Sequence, residues 1–164
     1  MIMFFTGLDS SGSARQLRLA RLAGSPPMTD DQCEVIRRLV GEYLPHFEAG
    51  EAPSMRQGSF FMRFIEQAAQ DDILDEEYVM RLERLGGWDA LKDLDLIGRA
   101  KIDDVRALLT AGFRSSEYFE RDVSPDMVWR DYAQAGTFTA ILRRFDRLER
   151  EVSANEQLVR AVIP

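Results

Sequence analysis

The chain is predicted to be all-α, an irregular bundle of roughly five to seven helices forming a single domain with an N-terminal appendage. Three observations carry this expectation. Apolar residues recur at helical spacing through most of the chain, and several of these stretches start on capping chemistry and stop at glycine or proline. No four-residue alternation of apolar and polar positions bounded by hairpin turn chemistry is found. The 164 residues suffice for one hydrophobic core, and no block repeats at a period of about 20 to 50 residues, which argues against a solenoid.

Residues 1–27 read as the appendage, with Arg15, Arg18 and Arg21 set against Asp9 alone and a punctuating Gly24-Ser25-Pro26-Pro27 at the end. Leu17, Leu19 and Leu22 suit a short docking helix; a second reading takes Met28 as the true start. The helical domain is then residues 28–164. Thr29 with Gln32 forms a capping box ahead of an apolar stripe on Cys33, Ile36, Val40 and Tyr43, with Val35, Leu39 and Leu44 beside it, and Pro45 is expected to stop this helix. Phe60, Phe61, Phe64, Ile65 and Ala68 mark a second helix. A third runs from Asp75 to Leu85, with Gly86 and Gly87 as its left-handed stop.

From Trp88 to Gly98 the pattern fits either a short helix or an irregular core segment. Asp103 is expected to cap a helix carrying Val105, Leu108, Leu109 and Phe113, and Ser124-Pro125 sets a cap and a first-turn proline before Met127, Val128, Trp129 and Tyr132. Gly136 ends that helix. The next presents Phe138, Ile141, Leu142, Phe145 and Leu148 on one face, and Asn155 to Val162 is expected as a short separate terminal helix.

Charge and inventory exclude several functions. With 21 Lys and Arg against 28 Asp and Glu the net charge is −7, so no global field attracts nucleic acid. One cysteine, Cys33, permits neither an intramolecular disulfide nor a multi-cysteine zinc site, and one histidine, His46, permits no two-histidine metal site. No signal peptide and no stretch of about 18 uncharged apolar residues is read, so a cytoplasmic location without membrane insertion is expected. No phosphate-cradling glycine loop is present, and no motif calls for a cofactor.

Carboxylates remain. Asp71, Asp72, Asp75, Glu76 and Glu77 place five acids in seven positions, and Asp89, Asp93, Asp95, Asp103 and Asp104 extend the negative region. In a helix, Asp71 with Asp75 and Asp72 with Glu76 stand at i and i+4, a spacing that could hold a divalent ion against a second carboxylate helix, or simply favour a helix N-terminus. The opposite idea, nucleic acid bound by Arg143, Arg144, Arg147 and Arg150, is weakened by interspersed acids, since Asp146 can pair with Arg143 and with Arg150.

The stretch Leu108-Leu109-Thr110-Ala111-Gly112-Phe113-Arg114, then Glu117-Tyr118-Phe119, Gly136, and Ile141-Leu142-Arg143-Arg144-Phe145, resembles an uncharacterised bacterial family, the domain of unknown function 6508. The likeness covers residues 105–148. Tyr118 stands where that family usually has Arg, and the glycine expected soon after Phe119 is absent. The resemblance implies a helical domain of bacteria or their mobile elements without an established activity, and it singles out Arg114, Glu117, Phe119, Gly136 and Arg144.

The expected function is non-enzymatic: binding of a protein partner, with inhibition or regulation as the outcome, through the acidic surface of Asp71, Asp72, Asp75, Glu76, Glu77, Asp89 and Asp93 and exposed aromatics such as Trp88 or Trp129. Small acidic bacterial immunity proteins and phage-encoded antagonists of host defence share this profile. The alternatives are a carboxylate-dependent metal enzyme acting on phosphoryl substrates through Asp71, Asp72, Asp75 and Glu76, and the nucleic-acid-binding arginine helix.

Overall fold

A computed structural model describes residues 28–118 and 123–163. Readings that fall on residues 1–27 and on Phe119 lie outside the described residues. Within them the chain forms seven α-helices and no strand: α1 (Asp30–Glu48), α2 (Phe60–Gln70), α3 (Tyr78–Leu85), α4 (Leu94–Arg99), α5 (Ile102–Arg114), α6 (Pro125–Gln134) and α7 (Thr137–Val162). Short 3-10 helices occupy Gly87–Lys92 and Ser115–Glu117.

The capping box is formed: the Gln32 amide donates to Thr29 Oγ1 at 3.3 Å, and the Thr29 amide to Gln32 Oε1 at 3.0 Å. Pro45 does not stop α1, which continues to Glu48. The proline forfeits one backbone hydrogen bond near the helix end, but the turn beyond it carries Phe47 into the core, where its ring meets Phe60 at 5.3 Å and Phe138 at 5.3 Å. Burial of a phenylalanine, about 2 to 3 kcal/mol with further gain from ring pairing, offsets most of a proline's cost of about 3 kcal/mol.

Residues 71–77 are a turn where a helical start was expected, and α3 begins at Tyr78. Asp72 sits at φ 56, in the left-handed region. Arg106 of α5 fastens the turn, its Nε donating to the Ile73 carbonyl at 2.9 Å and its Nη2 to the carbonyls of Asp72 and Leu74 at 3.0 and 3.1 Å. Thr110, one turn further along, accepts the Asp75 amide at 2.9 Å and donates to the Arg106 carbonyl. The expected i and i+4 carboxylate pairs therefore do not stand on a helix.

Trp88 to Gly98 resolves into a 3-10 helix and the short α4, whose cap is Asp93, accepting the Leu96 amide at 3.0 Å. Asp103 is not a cap: α5 starts at Ile102 after Lys101, and Asp103 lies in the first turn, where it still favours the positive end of the helix dipole. Ser124 and Pro125 start α6 as expected, with Ser124 Oγ accepting the Met127 amide. Gly136 takes φ 84 between α6 and α7. The expected terminal helix is no separate element but the end of α7, which runs 26 residues because neither glycine nor proline interrupts it.

An aromatic cluster from α1, α2, α5, α6 and α7 fills the centre. Phe61 and Phe138 are fully buried and 5.1 Å apart. Trp129 is core as well, its indole donating to the Phe113 carbonyl at 3.1 Å, so it offers no exposed aromatic. Where α5 crosses α7, Gly112 lies so close that a Cβ there would stand 2.9 Å from the Phe138 ring. Helix propensity alone would favour Ala over Gly by about 1 kcal/mol, yet overpacking a ring that cannot retreat costs about 1 to 3 kcal/mol. Gly112→Ala is therefore expected to destabilise by about 1 to 2 kcal/mol in urea denaturation, and to lose most of that penalty in a Phe138→Leu background; a stabilised single variant would refute the crossing.

Among the described residues, one charged side chain is buried with the core. Glu149 of α7 is 5% exposed and is held by Arg37 of α1 and by Ser153, whose hydroxyl donates at 2.9 Å. Burial pushes its carboxyl up, but the hydrogen bonds from Arg37 and Ser153 and the Arg37 charge outweigh that, so it lies below the ordinary glutamate value. A depressed carboxyl means that the unfolded chain takes up the proton first as pH falls. The stability it contributes is complete above the ordinary glutamate range and drains away below it. The stability gap between the unaltered protein and Glu149→Gln should therefore be wide at about pH 7 and shrink towards about pH 3 in denaturant titrations. A gap independent of pH would contradict the assignment.

Candidate protein-binding face

The acidic residues divide into those engaged within the fold and those that are not. Asp71 is engaged by both oxygens with Arg38 at 3.2 Å and accepts from Gln67 at 2.7 Å. Asp75 Oδ2 lies 2.7 Å from Arg81 Nε, while its Oδ1 accepts the Glu77 amide at 2.9 Å. Asp93 caps α4, Asp104 pairs with Arg84 at 3.2 Å, and Asp103 stands 3.8 Å from Arg106. These carboxylates hold the fold. Asp72, Glu76, Glu77, Asp89 and Asp95 are exposed and take part in no ion pair among the described residues. No group of three metal-ligating side chains converges among the described residues, so Asp71, Asp72, Asp75 and Glu76 do not assemble a metal centre there.

The four arginines Arg143, Arg144, Arg147 and Arg150 of α7 are likewise engaged. Arg144 Nε donates to the Ala100 carbonyl at 2.8 Å and Arg147 to the Gly98 carbonyl at 3.1 Å, so both satisfy backbone at the end of α4. Arg143 pairs with Glu48 at 3.3 Å, not with Asp146, whereas Arg150 meets Asp146 at 3.1 Å as the spacing suggests. A phosphate backbone would have to displace these contacts. Cys33 and His46 stand 13 residues apart on α1, about 20 Å of helix, which precludes a thiol-imidazole pair. Burial pushes the Cys33 thiol up, and His46 stacks on Phe60 at 4.6 Å and contacts Glu51 at 3.0 Å.

What the fold does bring together is an aromatic ridge. Tyr118, 56% exposed, lies against Trp88 with ring centroids 5.1 Å apart and accepts a hydrogen bond from the Tyr78 hydroxyl at 3.0 Å. Burial, then the Tyr118 hydrogen bond, push the Tyr78 phenol up to about 12, so it remains a donor. On one side of the ridge, a cleft of about 630 Å³ is lined by Trp88, Asp89, Lys92, Met127, Asp131 and Tyr132. Met127 is 60% exposed at its wall. Lys92 is fixed within it, 2.6 Å from Asp131 and 5.6 Å above the Tyr132 ring centroid. On the other side, Glu76, Tyr78 and Val79 border a smaller hollow of about 370 Å³ with Tyr118.

Of the residues that the sequence singled out, Trp88, Asp89 and Glu76 thus meet on one face, with Glu77 beside Glu76 in the chain. Arg114 and Glu117 line the same hollow and face each other at 3.7 Å. Gly136 and Arg144 lie elsewhere, serving the start of α7 and the end of α4. Sequence reading missed Tyr118 and Met127 as exposed anchors, although an aromatic just beyond a helix end and a methionine on the outer side of α6 were both visible as types. Against protein-family models, curated proteins and solved structures, the chain finds no match.

Proposed function

We propose that this chain is a non-enzymatic helical binding protein that engages, and so inhibits or regulates, a protein partner through the Trp88-Tyr118 ridge and its adjoining cleft. The single observation that supports this best is the pairing of exposed Tyr118 with half-buried Trp88 between two hollows, bordered by Glu76, Glu77 and Asp89, acids that form no ion pair among the described residues. Large aromatics exposed around a concave apolar surface supply binding energy, and charged rims steer approach and choose among partners. The fitting partner presents an apolar side chain to the cleft and lysines or arginines to the rim. A bacterial or phage-borne immunity or anti-defence inhibitor is the class that this reading suggests, and the resemblance of residues 105–148 to a bacterial helical family is compatible with it.

The test is affinity capture from source cells with the full chain, followed by titration of the purified pair. Tyr118→Ala with Met127→Ala, and separately Glu76→Gln with Glu77→Gln and Asp89→Asn, should each weaken the dissociation constant at least about tenfold, near 1.4 kcal/mol. Glu42→Gln on the exposed side of α1 should leave it unchanged. A chain that retains no protein, or a partner indifferent to the ridge and rim changes, overturns the reading.

A further inference from the structure

We propose that the basic N-terminal segment, residues 15–22, covers an apolar overhang at the end of α7. Helices α1 and α7 run antiparallel, with Glu48 beside Arg143, Arg37 on Glu149, and the Asp30 carboxyl against that of Glu156. Because α1 begins at Asp30, residues 157–162 of α7 project past its start. There Leu158, Val159 and Val162 are exposed, Val162 at 78%, and Ile163 follows them. Val159 continues, at seven-residue steps, the row Phe138, Phe145 and Val152, of which the first two are fully buried and the third partly. An apolar row that outlasts its covering helix marks a surface awaiting an occupant.

Attachment, charge and composition together point to this occupant. The described chain begins at Met28, 7% exposed and immediately before α1, whose start lies beside the overhang. Five residues lie between Leu22 and Met28, and the six steps can span up to about 20 Å, whereas the six projecting residues of helix rise only about 9 Å. Reach is therefore ample. Residues 1–27 carry Arg15, Arg18 and Arg21 against Asp9, with Leu17, Leu19 and Leu22 interleaved. The receiving end carries Asp30, Asp31, Glu34 and Glu156, while its cations are Arg37, already engaged by Glu149, and Arg160. The hydrogen bond and charge of Asp30 push the Glu156 carboxyl up, with Arg160 acting the other way, so two acids crowd one spot that an arginine would relieve.

Hydrogen exchange on the full chain tests this, at low and at high protein concentration. Amides of residues 157–162 should exchange about tenfold more slowly in the unaltered chain than in the triple variant Leu17→Ser, Leu19→Ser, Leu22→Ser, equally at both concentrations. Thermal midpoints should stay alike, since those changes fall outside the described core. In the unaltered chain, raising salt should speed exchange at residues 157–162 and leave α5 unaffected. Equal exchange in variant and unaltered chains overturns the proposal, as does protection that grows with concentration, which would name a second copy as the cover.

Discussion

Phe61→Ala is expected to cost about 4 kcal/mol and to lower the melting midpoint by roughly 10 to 15 °C. Phe61 is fully buried, and its ring stands within 6.2 Å of six others: Phe47, Phe60, Phe64, Phe113, Trp129 and Phe138. These rings belong to α1, α2, α5, α6 and α7, so a cavity at this point loosens several helix contacts at once. The loss combines the transfer term of the ring with the void that neighbouring aromatics, rigid in themselves, cannot fill. Phe61→Leu should recover more than half of the deficit, because most of the volume returns. A loss below about 2 kcal/mol for Phe61→Ala in urea titration would mean that the rings do not converge there.

Arg106→Met should destabilise by about 3 kcal/mol, with the effect concentrated on residues 71–77. The guanidinium is the common donor to three successive carbonyls, those of Asp72, Ile73 and Leu74, and methionine keeps its aliphatic bulk while removing every donor. Each charge-assisted bond is worth about 1.5 to 3 kcal/mol in isolation, but two of the freed carbonyls can turn to water, which lowers the sum. Arg106→Lys should recover less than half, since a point ammonium cannot serve three acceptors spread along a turn. Exchange at the Asp75 amide, bonded to Thr110, should rise well before that of α7. A uniform change across the molecule would count against a local clamp. Since the turn carries Glu76 and Glu77, Arg106→Met should also weaken any partner that uses the acidic rim.

The helices were legible because their evidence is local. Thr29 with Gln32, Ser124 with Pro125, and the stripes on α1, α2 and α7 are written in neighbouring residues, and each of them holds in the fold. Pro45 and residues 71–77 misled for one shared reason: the decisive contacts come from far along the chain. Phe138 helps to hold the turn after Pro45 through Phe47, and Arg106 shapes a run of acids that by spacing alone could equally start a helix. The site divides in the same way. Trp88 and Asp89 could be noticed as residue types, but Tyr118 is held in place by Tyr78 and Trp88, forty and thirty residues earlier. The arginines of α7 read as a face paired with neighbouring acids because nothing near them in sequence reveals that Gly98 and Ala100 present carbonyls to Arg147 and Arg144.

The two indoles occupy opposite environments, which makes the protein its own optical gauge. Trp129, sealed in with its N–H engaged, should emit at short wavelength, resist iodide, and change only when the body unfolds. Trp88, half-covered beside Tyr118 at the mouth of the cleft, should be quenched by iodide and shielded when a partner settles on the ridge. One unlabelled fluorescence titration can thus separate docking from denaturation.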